Sequence, residues 1–260
     1  MINGLPIEYA QARLQARYGA RASEDLWTQV RSARTFAALL ASLRDSPLKR
    51  WVGAVGVEAD ADAIELHLRA SFRECVEEVG RWMPDAWRQA VLWTRTLVDL
   101  PAIVRLVSGE AALGWMRRDP SLQPYADPDP EIARRALESG PLRNIVRELE
   151  RTAGARVQNG AAREQWLIEW RLRWPDTRSE DAAALLALTR VVLDHLARFT
   201  RSDTEDPWAL RRSLESQVSA RFRRHAFTAT AAFAYLLLTA LDLERLRAHL
   251  VVRATFAAVP

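Results

Sequence analysis

Few side chains in this sequence stand at the spacings that catalysis or ligand binding requires. Ser46-Pro47-Leu48-Lys49 has the pattern of a serine activated by a lysine one helical turn away, but the companion motifs of such hydrolases are missing. His67, His195, His225 and His249 lie far apart, and no His-Glu-x-x-His pair sets two imidazoles on one helical face for zinc. Acidic residues cluster at Glu58, Asp60, Asp62 and Glu65, and again at Glu74, Glu77 and Glu78. Magnesium chemistry in a helical diphosphate enzyme needs paired aspartates facing one cavity from two helices. Here the first cluster reads as a helix start that favours negative charge, and the second as a solvated face. Neither a Gly-x-x-x-x-Gly-Lys loop nor a Gly-x-Gly-x-x-Gly turn occurs, which excludes the standard nucleotide cradles. These residues predict a chain with no catalytic group, no cofactor and no metal.

Aromatic and basic side chains are the stronger signal. Trp166, Trp170 and Trp174 recur at four-residue spacing, with Arg163, Arg171 and Arg173 around them. A core-facing helix is the first reading of that stripe, a protein interface the second, and base stacking the third. Arg221, Arg223, Arg224 and His225 form the densest basic spot, which reads either as a solvated helix cap or as a contact for acidic groups.

The elements that must position these residues are helices. Apolar residues recur at three- and four-residue spacing along most of the chain, while alternating strand patterns and Asn-Gly turns are nearly absent, so the fold class is all-α. The spacing predicts helices over 6–18, 23–33, 35–44, 60–82, 85–107 and 111–118, then over 131–138, 142–152, 161–174, 179–200, 207–223 and 225–256. Ser23 and Ser179, each followed by two acidic residues, and Asp206-Pro207 carry start signals. Pro120, Pro124, Pro128 and Pro130 forbid a continuous helix across 119–130, which predicts two modules, 1–125 and 126–260, with shorter turns at 175–178 and 202–207. A short internal similarity aligns Thr96-x-x-Asp99-Leu100 with Thr239-x-x-Asp242-Leu243, as a duplicated helical module would.

Composition bounds the rest. A chain of 260 residues with 49% hydrophobic content can fill a sizeable core without staples. Cys75 is the single cysteine, which excludes an internal disulfide and multi-cysteine metal sites. Residues 2–18 mix Glu8, Arg13 and Arg17 into the apolar positions, unlike a secretion signal, which predicts a cytoplasmic protein. Arginine supplies almost all of the positive charge, and 37 basic against 33 acidic residues leave no dominant stripe for nucleic acid. The uncharged run 226–241 is shorter than the roughly 20 residues a bilayer core requires and reads as a buried core helix.

Near the amino terminus the chain reads Tyr9-x-x-Ala12-Arg13-x-x-x-Arg17-x-Gly19, followed by a small-residue and leucine-rich helix over 35–43. This resembles the opening of the C/d subunit family of V-type and archaeal A-type rotary ATPases. Asp242-Leu243-Glu244-Arg245-Leu246-Arg247, continuing to Arg253, is similar to that family's repeated acidic-x-x-Asn-Leu-Arg helix, and 99–109 resembles another copy. Ala102 and Arg245 stand where the family usually has asparagine, and the chain is short for a family of three related modules. The resemblance implies repeated helical modules in a funnel-like fold. It also implies a non-catalytic adaptor that joins the central stalk to the membrane c ring, peripheral to the inner face of the membrane through protein contacts, with no small-molecule substrate and no specific nucleic acid. The residues expected to bind partners are Arg13, Arg17, Trp166, Trp170, Trp174, Arg221, Arg224, Arg245 and Arg247. The alternative is a stand-alone helical interaction or regulatory protein that touches nucleic acid through the basic spot at 221–225.

Overall fold

The structure, a computed structural model, describes residues 6–152, 155–176, 179–199 and 206–256. Among these residues the chain is helical and contains no strand. The amino-terminal part comprises α1 (Ile7–Gly19), α2 (Glu24–Ser32), α3 (Phe36–Arg44), α4 (Lys49–Val52), α5 (Ala61–Trp82), α6 (Asp85–Trp93), α7 (Leu100–Val107) and α8 (Gly114–Arg118). After the proline-rich break come α9 (Pro130–Ser139), α10 (Arg143–Glu150), α11 (Ala155–Arg171), α12 (Glu180–Phe199), α13 (Pro207–Arg224) and α14 (Ala229–Phe256). The turns expected at 175–178 and 202–207 fall in part on 177–178 and 200–205, which lie outside the described residues.

Several starts follow directly from local chemistry. The side-chain oxygens of Ser23, Thr35, Asp60 and Asp206 each accept a hydrogen bond from a backbone N–H in the first turn of the following helix. Each such cap contributes about 1 kcal/mol by satisfying a donor that the helix itself leaves open.

Two boundaries depart from the sequence reading. The helix expected over 85–107 is broken into α6, a 3₁₀ helix over Thr94–Asp99, and α7. Pro101 lacks the N–H that would bond to the Leu97 carbonyl, and the Thr94 and Thr96 hydroxyls bond back to the carbonyls of Val91 and Trp93 at 2.7 and 2.8 Å. Both effects favour the tighter turn. The helix expected from 225 begins instead at Ala229, because Phe227 adopts a left-handed backbone with φ of 64°.

α14 is the central element and packs against α13, α5, α1, α12, α3 and α6. From Ala229 to Leu236 every residue on it is buried, so the helix is apolar around its circumference there. The uncharged run from 229 onward is thus the core helix, and no described helix is long and apolar enough to cross a membrane. Buried side chains from both sides of the proline-rich break, among them Leu14, Trp27 and Leu40 before it and Trp170, Leu214 and Phe222 after it, belong to one hydrophobic cluster. α5 packs on α14, and α7 packs on α10 and α11, so the break at 119–130 separates helices without dividing the core.

The tryptophan stripe serves that core. Trp166, Trp170 and Trp174 are all buried, which corrects their assignment as partner-binding residues. Trp166 Nε1 donates to Thr96 Oγ1 at 2.8 Å and Trp170 Nε1 donates to the Ala90 carbonyl at 3.1 Å. The Trp170 ring meets Phe233 edge-on at 4.9 Å. Packed aromatic rings, two of them with satisfied N–H groups, clamp α11 against α6 and α14 and spend most of the stripe on the core.

Candidate functional site

A groove of about 710 Å³ lies at the seam between α5, α7, α8 and α14. Leu68, Phe72, Leu97, Val98, Leu113, Trp115, Met116 and Leu243 supply its apolar lining, while Glu65, Arg69, Arg105, Glu110, Glu244 and Arg247 supply charge. A smaller apolar cleft of about 180 Å³, reaching α11 and α12, shares Phe72, Leu97 and Ala240 with it. Leu97 and Leu113 are each about two-fifths exposed at the groove.

The groove wall is held by an ionic cluster. Arg69, on α5, donates to Asp99 at 2.6 Å, to Asp119 at 3.0 Å and to the Val98 carbonyl at 2.6 Å, while its guanidinium lies 4.5 Å from the centre of the Trp115 ring. Arg73, one turn further on, donates to both carboxylates at 2.6 and 2.9 Å. Burial pushes the Asp99 carboxyl above its usual range, and Arg73 and Arg69 oppose that rise. At Asp119 burial also acts upward, but the hydrogen bonds from Arg73 and Arg69 outweigh it and its carboxyl lies below the usual range. Two carboxylates cross-linked by two guanidiniums form a rigid buttress, since each buried charge has a partner.

A second cluster occupies the other side of α14. Arg21, just after α1, donates through Nε and Nη2 to the two oxygens of Asp242, each at 2.8 Å, and through Nη2 to Glu215 at 2.7 Å. Burial raises the Asp242 carboxyl, opposed by Arg21. Asp242 and Glu215 border a charged cleft of about 370 Å³ between α2, α13 and α14. Arg245 is buried there, with its guanidinium 4.5 Å from the Trp27 ring centre and hydrogen bonds to Glu24 at 2.6 and 3.1 Å. The expectation that Arg245 binds a partner is corrected accordingly: it ties α14 to α2. Arg253 donates to the carbonyls of Val30, Arg31 and Ala33, satisfying the open carboxyl end of α2.

The remaining residues singled out by sequence are scattered. Arg13 is exposed and lies over the Tyr9 ring, and Arg17 pairs with Glu78. Arg247 borders the groove and pairs with Glu65. Arg224 is exposed and Arg221 half-buried at the carboxyl end of α13. Ser46 Oγ donates to the Leu43 carbonyl and accepts from the Leu48 N–H, so it closes a turn after α3. Asp60 caps α5, Asp62 pairs with Arg118, and Glu77 and Glu78 face arginines, each within structural roles. Among the described residues no three His, Cys, Asp or Glu side chains converge as a metal site. Cys75 is buried, and burial pushes its thiol up, away from reactivity.

The sequence reading passed over Arg21, Arg69, Arg73 and Asp119, which organise both clusters. Only Asp99 and Asp242 carried a signal, through the repeated Thr-x-x-Asp-Leu. Compared with known proteins, the chain matches no family model, no curated sequence and no solved structure.

Proposed function

We propose that this chain is a non-catalytic adaptor in the central stalk of an ion-translocating rotary ATPase, joining the rotor shaft to the c ring. The observation that carries this reading is the mixed apolar and charged groove at the α5–α7–α8–α14 seam, braced by the Arg69–Asp99–Asp119–Arg73 buttress. A part that transmits torque needs a grip that does not yield, and paired buried charges with stacked aromatics provide stiffness where a loose apolar patch would not. The likeness of 9–19 and 242–253 to the C/d subunit family supplies the identity of the partners.

Co-purification under native extraction tests the proposal. The tagged chain should recover c-ring and stalk subunits, and a double Leu97→Glu, Leu113→Glu variant should keep its helical circular dichroism while losing them. A wild-type chain that never associates with those subunits removes the reading.

A further inference from the structure

The turn between α13 and α14 has a feature that packing does not explain. These helices lie antiparallel, as the bonds from Arg211 to the Leu241 carbonyl and to Glu244 require. At the end of that hairpin Phe227 is 60% exposed and holds the left-handed backbone that glycine or asparagine usually supplies. The conformation is built in: the Phe227 N–H donates at 3.0 Å to the side-chain oxygen of Gln11, itself buried on α1. Arg223 and Arg224 are exposed beside it, and Arg221 lies one turn earlier. Among the described residues none of these three arginines pairs with a carboxylate: Arg223 donates to the Tyr18 hydroxyl and Arg221 to the Gln217 carbonyl. His225 is held below its ordinary pKa, first by burial and then by Arg224 and Arg221, with Asp181 opposing.

From this arrangement we infer that the α13–α14 turn is a contact for an anionic membrane surface, with Phe227 entering the headgroup layer and Arg221, Arg223 and Arg224 meeting lipid phosphates. An aromatic ring presented at the end of a hairpin and flanked by arginines combines the apolar and electrostatic contributions that interfacial binding needs together. Single-stranded nucleic acid would instead favour a basic groove with several stacking rings, whereas this turn presents one. The inference goes beyond the adaptor reading and does not rest on it, because vesicles contain no ring.

The test is co-sedimentation of the full chain with protein-free vesicles of phosphatidylcholine, with and without phosphatidylglycerol. Binding should require phosphatidylglycerol and fall as salt rises. Phe227→Gly should weaken it about tenfold or more. This variant keeps the fold, because glycine accepts the left-handed backbone, so its melting temperature should equal or exceed that of the parent. Arg221→Gln with Arg224→Gln should weaken binding about twenty-five-fold, at roughly fivefold per arginine. Equal binding to both vesicle types, or phosphatidylglycerol binding that these variants leave unchanged, overturns the inference. So does retention of an RNA or DNA oligonucleotide through these residues without vesicle binding.

Discussion

Two stretches with the same local sequence, Thr96-x-x-Asp99-Leu100 and Thr239-x-x-Asp242-Leu243, occupy different backbones and reach the same electrostatic end. The first is a 3₁₀ helix between two α-helices, and the second lies inside the unbroken α14. Each buries its aspartate, and each aspartate is held by arginine from another element. The difference lies in redundancy. Asp99 shares two arginines with a second carboxylate, Asp119, in a closed network, whereas Asp242 depends on the single fork of Arg21, whose other acid, Glu215, is partly open to solvent. A matching sequence thus specifies a buried acid, while the surrounding elements decide whether it becomes a rigid joint or a simple tether. The rigid joint sits at the large groove, where the proposed partner would bear on it.

Removing Arg69 should cost most. Arg69→Ala deletes bonds to Asp99, Asp119 and the Val98 carbonyl together with the contact on Trp115, and leaves two buried carboxylates sharing Arg73. Urea unfolding should show a loss of about 3–5 kcal/mol. A loss under about 1 kcal/mol would mean that the network contributes little and that the contrast with Asp242 is one of appearance only.

Arg21→Ala should cost less, about 2–3 kcal/mol at neutral pH, because Glu215 can turn to water and only Asp242 is left buried and unpaired. Its deficit should also respond to pH in a stated direction. Burial raises the Asp242 carboxyl in the folded state, so that state binds the proton more readily than the unfolded chain does. Loss of Arg21 strengthens that preference, and the deficit should shrink as pH falls from 7 towards 5. A deficit that stays constant would place the lost stability in packing and not in the charge.

How much of this was legible depended on distance along the chain. The starts of α2 and α13 were legible because Ser23 and Asp206 act on N–H groups within three residues. The turn at 225–228 was not, since Phe227 gives no sign of a left-handed residue and its anchor, Gln11, is 216 residues away. Periodicity put Trp166, Trp170 and Trp174 on one face correctly, but period alone does not say whether a face meets the core or a partner. The ionic clusters join residues between 26 and 221 positions apart, so no local pattern announces them. Arg245 was marked for its place in a motif, and only the position of Glu24 and Trp27 shows why it is occupied.

The side of the molecule that carries the tether offers a smaller test. His249 borders the charged cleft, and its pKa is lowered to about 4, first by burial and then by Arg253, Arg245 and Arg31. The unfolded chain therefore binds a proton between pH 6.5 and 4 that the folded chain refuses, so stability from this group is present above pH 6.5 and is lost as pH falls through that window. For a half-buried side chain screened by solvent the effect is about 1–2 kcal/mol. His249→Gln should flatten the acid limb of the stability curve by that amount, and an unchanged limb would shift the cause to the carboxylates.

Pro101→Ala should produce the smallest change, and it bears directly on why the two matching stretches differ. Proline 101 stands where the second copy has Glu244, and its missing N–H is one cause of the 3₁₀ geometry over Thr94–Asp99. Alanine would offer a second donor to the Leu97 carbonyl, which already accepts from the Leu100 N–H, a gain of about 0.5–1.5 kcal/mol. It would also free the unfolded chain, a loss of about 0.4–1 kcal/mol. The two nearly cancel, so unfolding should move by less than about 1 kcal/mol. The Asp99 network should meanwhile survive, because Arg69 and Arg73 approach from α5 and not from the altered turn. If the variant instead lost as much stability as Arg69→Ala, the tight turn itself would be what aims Asp99 at its arginines. The first copy would then be rigid because of its backbone, with the second guanidinium a consequence of that placement.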